Sequence, residues 1–301
     1  MLGVLSVCAH GITKLLLTES PHPKQNPMTN RIQRLTEQAI TFIKLVAETE
    51  KQELFSGNSG GKDSAVLEWL LQTSGITYTS IHANTTIDPK GTIKHIRDNY
   101  PHTLIMQPKE TFYQLIERKG FPSRLRRFCC EVLKEYTSIG KIMFEGVRSA
   151  ESKGRQGRDY IQCDSRKIMK GAKHIYPIYD WTDNDVWDFI EFHKISLAPH
   201  YQTGAKRLGC VGCPLAYNKT RQKEFEMYPK VYSAIKKAIE KGMKKNPQWK
   251  LSVACNGNSD VAMQYYLSGL IIDKFFESNL FNQNHFKKTD KGWEILPNDN
   301  T

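Results

Sequence analysis

No run in this sequence approaches the ~20 consecutive apolar residues that cross a bilayer, so a membrane-spanning role is not expected. The one apolar N-terminal stretch, Met1 to Leu17, lacks both a basic opening and a small-residue cleavage site, which argues against a secretory leader. Cysteine is sparse, with seven in 301 residues, and irregularly spaced, which excludes a disulfide framework and points to reduced thiols in the cytoplasm. No internal repeat is present, so a solenoid is not expected either.

What is there is the balance of a globular chain, 39% hydrophobic and 25% charged. The length suits one large α/β domain with an appended group of helices. Residues 1–27 read as a leader outside the core, and Met28 is a candidate start. Residues 28–214 then form the principal domain, residues 215–301 form a helical C-terminal region, and the Asn-rich end after Pro297 reads as disordered.

Basic residues outnumber acidic ones, 43 to 31, a formal charge of +12 that attracts polyanions. The excess collects at Arg118–Arg127, from Lys153 to Lys173 and over Lys219–Lys250. Such runs serve either as solvated helix faces or as a track for nucleic acid.

Apolar periodicity predicts a helix over Met28–Glu48, with Ile32, Leu35, Ala39, Phe42, Ile43 and Val46 on one face, and a short strand at Glu53–Ser56. A helix follows over Asp63–Leu71, burying Val66, Leu67, Leu70 and Leu71. Then come a strand at Tyr78–Ala83, a helix at Thr92–Asn99, a strand at Thr103–Met106, a helix at Thr111–Lys119 and a strand at Lys141–Val147. This alternation predicts an α/β fold with a Rossmann-like, doubly wound, mostly parallel sheet. Ligands of such sheets bind beyond the carboxyl ends of the strands, which here means the loops after Phe55, Ala83 and Val147. Beyond Cys213 the chain reads as helices, with Phe225, Tyr228, Val231, Ile235 and Ile239 as the first apolar stripe.

Between the first strand and its helix stands Phe55-Ser-Gly-Asn-Ser-Gly-Gly-Lys-Asp-Ser64. Its glycines let backbone N–H groups approach an anion at a helix N-terminus, and phosphate is the natural guest. It is not a Walker A loop, because Asp63 follows Lys62 where Ser or Thr is required. It resembles the PP-loop of enzymes that cleave between the α and β phosphates of ATP or hold adenylyl sulfates. The resemblance makes Ser59, Gly60, Gly61, Lys62, Asp63 and Ser64 nucleotide-binding residues, Lys62 standing equally well as a phosphate contact or a surface residue. Mg2+ is a candidate companion of the nucleotide.

Cys129-Cys130 and the distant Cys210-Val-Gly-Cys213 could hold zinc, hold a [4Fe–4S] cluster or remain free thiols. Zinc sites favour two short-spaced Cys pairs, whereas a vicinal pair with a remote Cys-x-x-Cys is similar to the cluster motif of adenylyl-sulfate reductases. Cys8, Cys163 and Cys255 stand alone.

From about Phe55 to Pro214 the sequence resembles the phosphoadenylyl-sulfate (PAPS) and adenylyl-sulfate reductase family, within the PP-loop adenine-nucleotide alpha-hydrolases. Cys129-Cys-Glu-Val-Leu-Lys134 is similar to the family's Cys-Cys-x-x-Arg-Lys, with Leu133 in place of the arginine. Gly146-Val-Arg148-Ser-Ala-Glu-Ser152 looks like its Gly-x-Arg-x-x-x-Ser element, whose arginine meets the nucleotide's anion. Tyr176 to Trp187 resembles its Pro-x-x-x-Trp-x-x-x-Asp-Val-Trp segment, although Trp181 and Trp187 would equally serve core packing. The resemblance implies catalytic roles for Asp63, Lys134 and Arg148, nucleotide contacts from Asn84 and Arg148, and a [4Fe–4S] cluster on Cys129, Cys130, Cys210 and Cys213.

Two departures bear on the reaction. The reductases' C-terminal Glu-Cys-Gly-(Leu/Ile)-His tail, which carries the nucleophilic cysteine, is absent, and Cys255 lies in Ala-Cys-Asn-Gly. Asn84-Thr-Thr also stands where the family has Asn-Thr-Gly. The resemblance therefore leaves three expectations. One is ATP-dependent, pyrophosphate-releasing sulfur transfer to a nucleic acid, with a cysteine desulfurase as a candidate sulfur partner. Another is reduction of PAPS or adenylyl sulfate to sulfite with thioredoxin, and the third is a non-catalytic nucleotide-binding regulatory or defence module.

Overall fold

Helical spacing in the first element is realised as an apolar stripe. In the computed structural model, which describes residues 27–277, 286–289 and 292–295, helix α1 (Pro27–Thr49) buries Ile32, Ala39, Ile43 and Val46. The expected leader up to residue 26, Cys8 and the stretch after Pro297 lie outside the described residues. Strand β1 (Leu54–Gly57), helix α2 (Lys62–Ser74), β2 (Thr79–Ala83), α3 (Thr92–Asn99), β3 (Leu104–Met106) and α4 (Phe112–Lys119) follow. After them come α5 (Phe128–Leu133), β4 (Ile142–Phe144), β5 (Ile161–Cys163), β6 (Lys173–Ile175) and α6 (Asp183–Phe192).

Six strands form one sheet in the order β3-β2-β1-β4-β6-β5. β1 runs parallel to β4 with Leu54 opposite Ile142, β2 is parallel to β3, and β4 is parallel to β6. β5 is antiparallel to β6, pairing Ile161 with Ile175. Every residue of β4 is buried, as a strand covered on both faces requires. The winding reverses beside β1, so the carboxyl ends of β1 and β4 mark the topological switch point of this α/β fold.

The strand expected over Lys141–Val147 is shorter than its apolar run, because ladder pairing stops at Phe144 and Glu145 makes a last bond to the Ile175 carbonyl. β5, β6 and α5 went unread in the sequence, since elements of three and six residues carry too little periodicity. Trp181 is buried against Phe189, whereas Trp187 is 38% exposed, which corrects its assignment to the core.

The chain divides into two compact units. The first comprises the described residues up to Asn58, with Lys62–Ser80 and Ser138–Ser196. In it, the expected face of α2 (Val66, Leu67, Leu70 and Leu71) is fully buried, and α2 packs against α1 and α6. The second comprises Ser59–Gly61, Ile81–Thr137 and the described residues from Leu197 onward. It contains α7 (Asn218–Met227), α8 (Pro229–Lys245), α9 (Lys250–Ala254), α10 (Ser259–Ser268), α11 (Ile272–Glu277) and a hairpin of β7 (Phe286–Thr289) and β8 (Gly292–Ile295). One hydrophobic core joins Phe112, Leu115 and Ile116 of α4 to Phe128 and Leu133 of α5, and both to α8 and α10. The stripe expected after Cys213 is divided by Pro229, which opens α8, and its Phe225, Ile235 and Ile239 are buried.

Candidate active site

At the switch point, β1 ends in Gly57 and the chain turns into α2, which begins at Lys62. Gly60 has a φ of 72°, and a Cβ there would stand 3.0 Å from Thr92 Cγ2, so both conformation and space demand glycine. Ser59 caps this turn locally, its Oγ accepting from the Gly61 N–H at 3.3 Å.

Within the first unit, the start of α2 carries alternating charges. Lys62, 4% exposed, donates from Nζ to both Asp63 carboxylate oxygens at 2.9 Å and lies 3.6 Å from Asp183. Arg148 follows β4 and is 1% exposed. Its Nε donates to Asp63 at 2.7 Å, its Nη2 to Asp183 at 2.5 Å and its Nη1 to the Trp181 carbonyl at 3.1 Å. The Arg148 guanidinium holds the Asp183 carboxyl below the usual range, against the opposing effect of burial. The close approach is built into the backbone, because a Cβ at Gly146 would come within 2.8 Å of the Asp63 carbonyl. Beneath the turn, fully buried Glu68 accepts from Ser56, from Ser80 at 2.8 Å and from Tyr78 at 3.1 Å, tying α2 to β1 and β2.

The structure thus brings Lys62, Asp63 and Arg148 together, with Ser64 buried one position further along α2. Asp183 completes the group. It escaped sequence reading because the only local signal, the Thr182–Asp185 capping box, points to helix initiation.

Within the second unit, α5 presents Cys129 and Cys130, and Cys210 and Cys213 bound a tight turn in which the Cys213 N–H donates to the Cys210 carbonyl. The four thiols share one electrostatic neighbourhood. Hydrogen bonding from Cys129 pushes the Cys130 thiol down, helped by the charges of Lys134 and Arg127, and the same bond together with burial pushes Cys129 up. Burial also raises Cys213. Lys134 points its ammonium at Cys210, whose charge raises the lysine's pKa, with Asp88 and Cys130 adding to the effect. Asp88 is itself held by the Thr85 N–H at 3.0 Å and the Thr85 hydroxyl at 2.8 Å, and lies 3.7 Å from His82.

The Cys210–Cys213 turn is clamped by helices that sequence reading left without a role. Arg221, 1% exposed, donates to the carbonyls of Cys213 (3.3 Å), Pro214 (3.0 Å), Ala216 (3.2 Å) and Tyr266. Tyr266 Oη donates to the Gly212 carbonyl at 2.7 Å, and the Gly212 N–H donates to Glu224 at 2.8 Å. Gly212 has a φ of 70°, and a Cβ there would sit 2.2 Å from the Phe225 ring. Only the spacing of Arg221 and Phe225 along one helix face could have hinted at this clamp.

Among the described residues, no three His, Cys, Asp or Glu side chains are arranged around a single metal ion. The donor set nevertheless fits a thiolate-bound cluster: four thiols in one neighbourhood, with the cations Lys134 and Arg127 beside them. Cys255 is fully buried and burial pushes its thiol up to about 12, so it is a poor nucleophile. Cys163 is exposed on β5. Asn84 bonds to Gln107 at 2.8 Å and accepts from the Thr86 N–H at 2.9 Å, which holds Thr86 at a φ of 63°.

An α/β sheet with a PP-loop turn at its switch point defines a class of nucleotide-handling proteins. The model of the phosphoadenosine phosphosulfate reductase domain matches residues 53–216, more than half of the chain, and the chain belongs to that family. An uncharacterized protein of Methanocaldococcus jannaschii is 29% identical over 217 residues, covering 68% of this chain and 52% of its own. An adenosine 5'-phosphosulfate reductase of Bacillus mycoides is 22% identical over 64% of this chain and 86% of its own. The phosphoadenylyl-sulfate reductase structure from Candida auris, at 16% identity, aligns with a TM-score of 0.47 over 65% of this chain and 99% of that one. The chain spans about half the length of the curated relatives it matches first. Sulfonucleotide reductases of the family are enzymes. No helix among the described residues is long and apolar enough to cross a membrane.

Proposed function

We propose that this chain is an adenine-nucleotide enzyme carrying a [4Fe–4S] cluster on Cys129, Cys130, Cys210 and Cys213, and that it transfers sulfur to a nucleic acid at the expense of ATP. The observation that carries this reading is the pairing of four gathered thiols with a buried Cys255, because the family's reductive chemistry needs an exposed nucleophilic thiolate. In the proposed sequence, an oxygen of the polymer attacks the α-phosphorus of ATP and the bond to the β-phosphate breaks, releasing pyrophosphate. Inorganic sulfide then displaces AMP, which leaves with the oxygen, so that sulfur replaces oxygen on the acceptor. Where the donor is a persulfide, its outer sulfur displaces AMP and a second thiol cleaves the resulting disulfide, leaving the sulfur on the acceptor and the two thiols joined as a disulfide.

The N-terminal turn of α2 receives the phosphates, Ser59 and Ser64 offer hydroxyls, and Lys62 supplies charge as pyrophosphate develops. Arg148, held by Asp63, Asp183 and the Trp181 carbonyl, fixes the turn through Asp63. The cluster, when bound, supplies a site for holding sulfide. Lys134 orients the thiols around it, and a cysteine desulfurase fits as the source of persulfide.

A second reading, reduction of PAPS or adenylyl sulfate to sulfite with thioredoxin, is favoured by relatives bearing that name. Anaerobically purified protein given ATP or adenylyl sulfate separates the two. Pyrophosphate release supports sulfur transfer, sulfite supports reduction, and neither product leaves only a nucleotide-binding module. Asp63→Ala is expected to lower turnover at least about tenfold while leaving the folded state intact, and wild-type kinetics would remove Asp63 from the machinery.

A further inference from the structure

The two stretches that deliver the thiols are free of acid. No Asp or Glu occurs from Gly120 to Cys130, or from Thr203 to Gln222. Within them Arg124, Arg126, Arg127 and Lys219 are exposed. Elsewhere in the same unit surface cations find carboxylates, as Arg118 does with Glu110 at 2.5 Å and Lys245 with Glu117. Within these two stretches the charge is of one sign, the nearest acids being Glu131, which follows Cys130, and Glu224, which accepts from the Gly212 N–H.

This basic rim also displays apolar surface that folding leaves uncovered, with Leu125 90% and Tyr217 78% exposed. Arg124 joins the two stretches. Its Nη2 donates to the Leu215 carbonyl at 3.2 Å, and its guanidinium lies 5.8 Å from the centre of the Tyr217 ring. Arginines interleaved with an exposed aromatic ring match the surface that tracks a phosphate backbone while giving unpaired bases a face to stack on. A duplex satisfies the charge but hides its base faces, so it leaves the aromatic ring unused.

We infer that Arg124, Arg126, Arg127, Tyr217 and Lys219 form the docking face for single-stranded nucleic acid, which lays its backbone on the cations and a base on Tyr217 beside the cysteine centre. The inference rests on the sulfur-transfer reading for its polymer and specifies where that polymer lies. Binding to this face precedes any chemistry and needs no ATP.

The test is fluorescence anisotropy with the full chain, prepared anaerobically, and labelled single-stranded RNA and DNA of about a dozen nucleotides. Duplex DNA and polyglutamate serve as competitors. The wild type is expected to bind the single strands in preference to both competitors. The double variant Arg124→Ala/Arg126→Ala should weaken binding at least about tenfold and reduce the slope of log affinity against log salt by roughly 1.4. Tyr217→Ala should weaken it about tenfold while Tyr217→Phe retains it. Affinity for ATP, measured in parallel, should be unchanged in each variant and so reports intact folding.

Strong binding that is indifferent to these substitutions would overturn the face and leave the polymer reading standing. An absence of nucleic-acid binding by the wild type would remove both, whatever the pyrophosphate assay shows. Equal competition by polyglutamate would replace the proposed partner with an acidic protein, and equal competition by duplex would remove the stacking role of Tyr217.

Discussion

Arg221 keeps a full positive charge in the interior, and its four bonded acceptors are neutral backbone carbonyls rather than carboxylates. Burial lowers its pKa, with the nearby Tyr266 and Cys213 acting in the opposite direction. A buried cation of this kind is tolerable where its N–H groups meet acceptors, and the four carbonyls provide them. Arg221→Leu should therefore destabilise the fold by about 3 kcal/mol, since several carbonyls lose their donor. It should also increase the reactivity of Cys210 and Cys213 toward an aromatic disulfide reagent under native conditions. Unchanged urea denaturation and thiol kinetics would show that the clamp is idle. The residue was invisible in the sequence because an arginine in a lysine-rich helix reads as solvated until its burial is known. The Ser59–Ser64 turn was legible because glycine and charge at fixed offsets state their geometry directly.

Among the elements, α1 is fixed to α6 by a bidentate contact in which Arg31 donates to both oxygens of Asp185 at 2.6 and 2.9 Å. Burial alone would raise the Asp185 pKa, but the bonds from Arg31 and from the Thr182 N–H and hydroxyl outweigh it and hold the group at about 2. A depressed acid stabilises the fold above its unfolded pKa and loses that contribution as pH falls toward 2. The difference in unfolding free energy between wild type and Arg31→Met should be about 1–2 kcal/mol at neutral pH, after screening at the half-exposed arginine. It should close as the pH approaches 2, and a constant difference across that range would show that the contact acts through packing alone. Elements of this size were readable from the sequence: the stripe of α1 and the buried face of α2 follow from spacing. The three-residue strands β5 and β6 were not, because three residues carry no readable alternation and only their pairing with each other and with β4 defines them.

For the whole molecule, alternation of strand and helix was enough to anticipate a mostly parallel sheet with its ligand loops at the carboxyl ends of the strands, because right-handed crossovers leave few other arrangements. The gathering of the thiols was less accessible, since Cys129-Cys130 and Cys210-Val-Gly-Cys213 stand about eighty positions apart and only tertiary packing relates them. If a cluster ties them together, its removal by oxidation and chelation should lower the melting temperature by about 5 °C or more, with loss of a broad visible absorption. Each single Cys→Ser replacement in the set should reproduce both effects. A colourless protein containing stoichiometric zinc would exchange the cluster for a structural ion.

The Arg221 and Tyr266 contacts have a practical consequence for dissecting this chain. The family model's match ends at residue 216, yet the bonds that hold the second cysteine pair come from residues 221 to 266. A fragment trimmed to residues 53–216 would retain Cys129, Cys130, Cys210 and Cys213 and still lose the splint that sets two of them in place. Such a fragment should bind iron poorly, and adding back the missing helices as a separate peptide is the direct way to restore it.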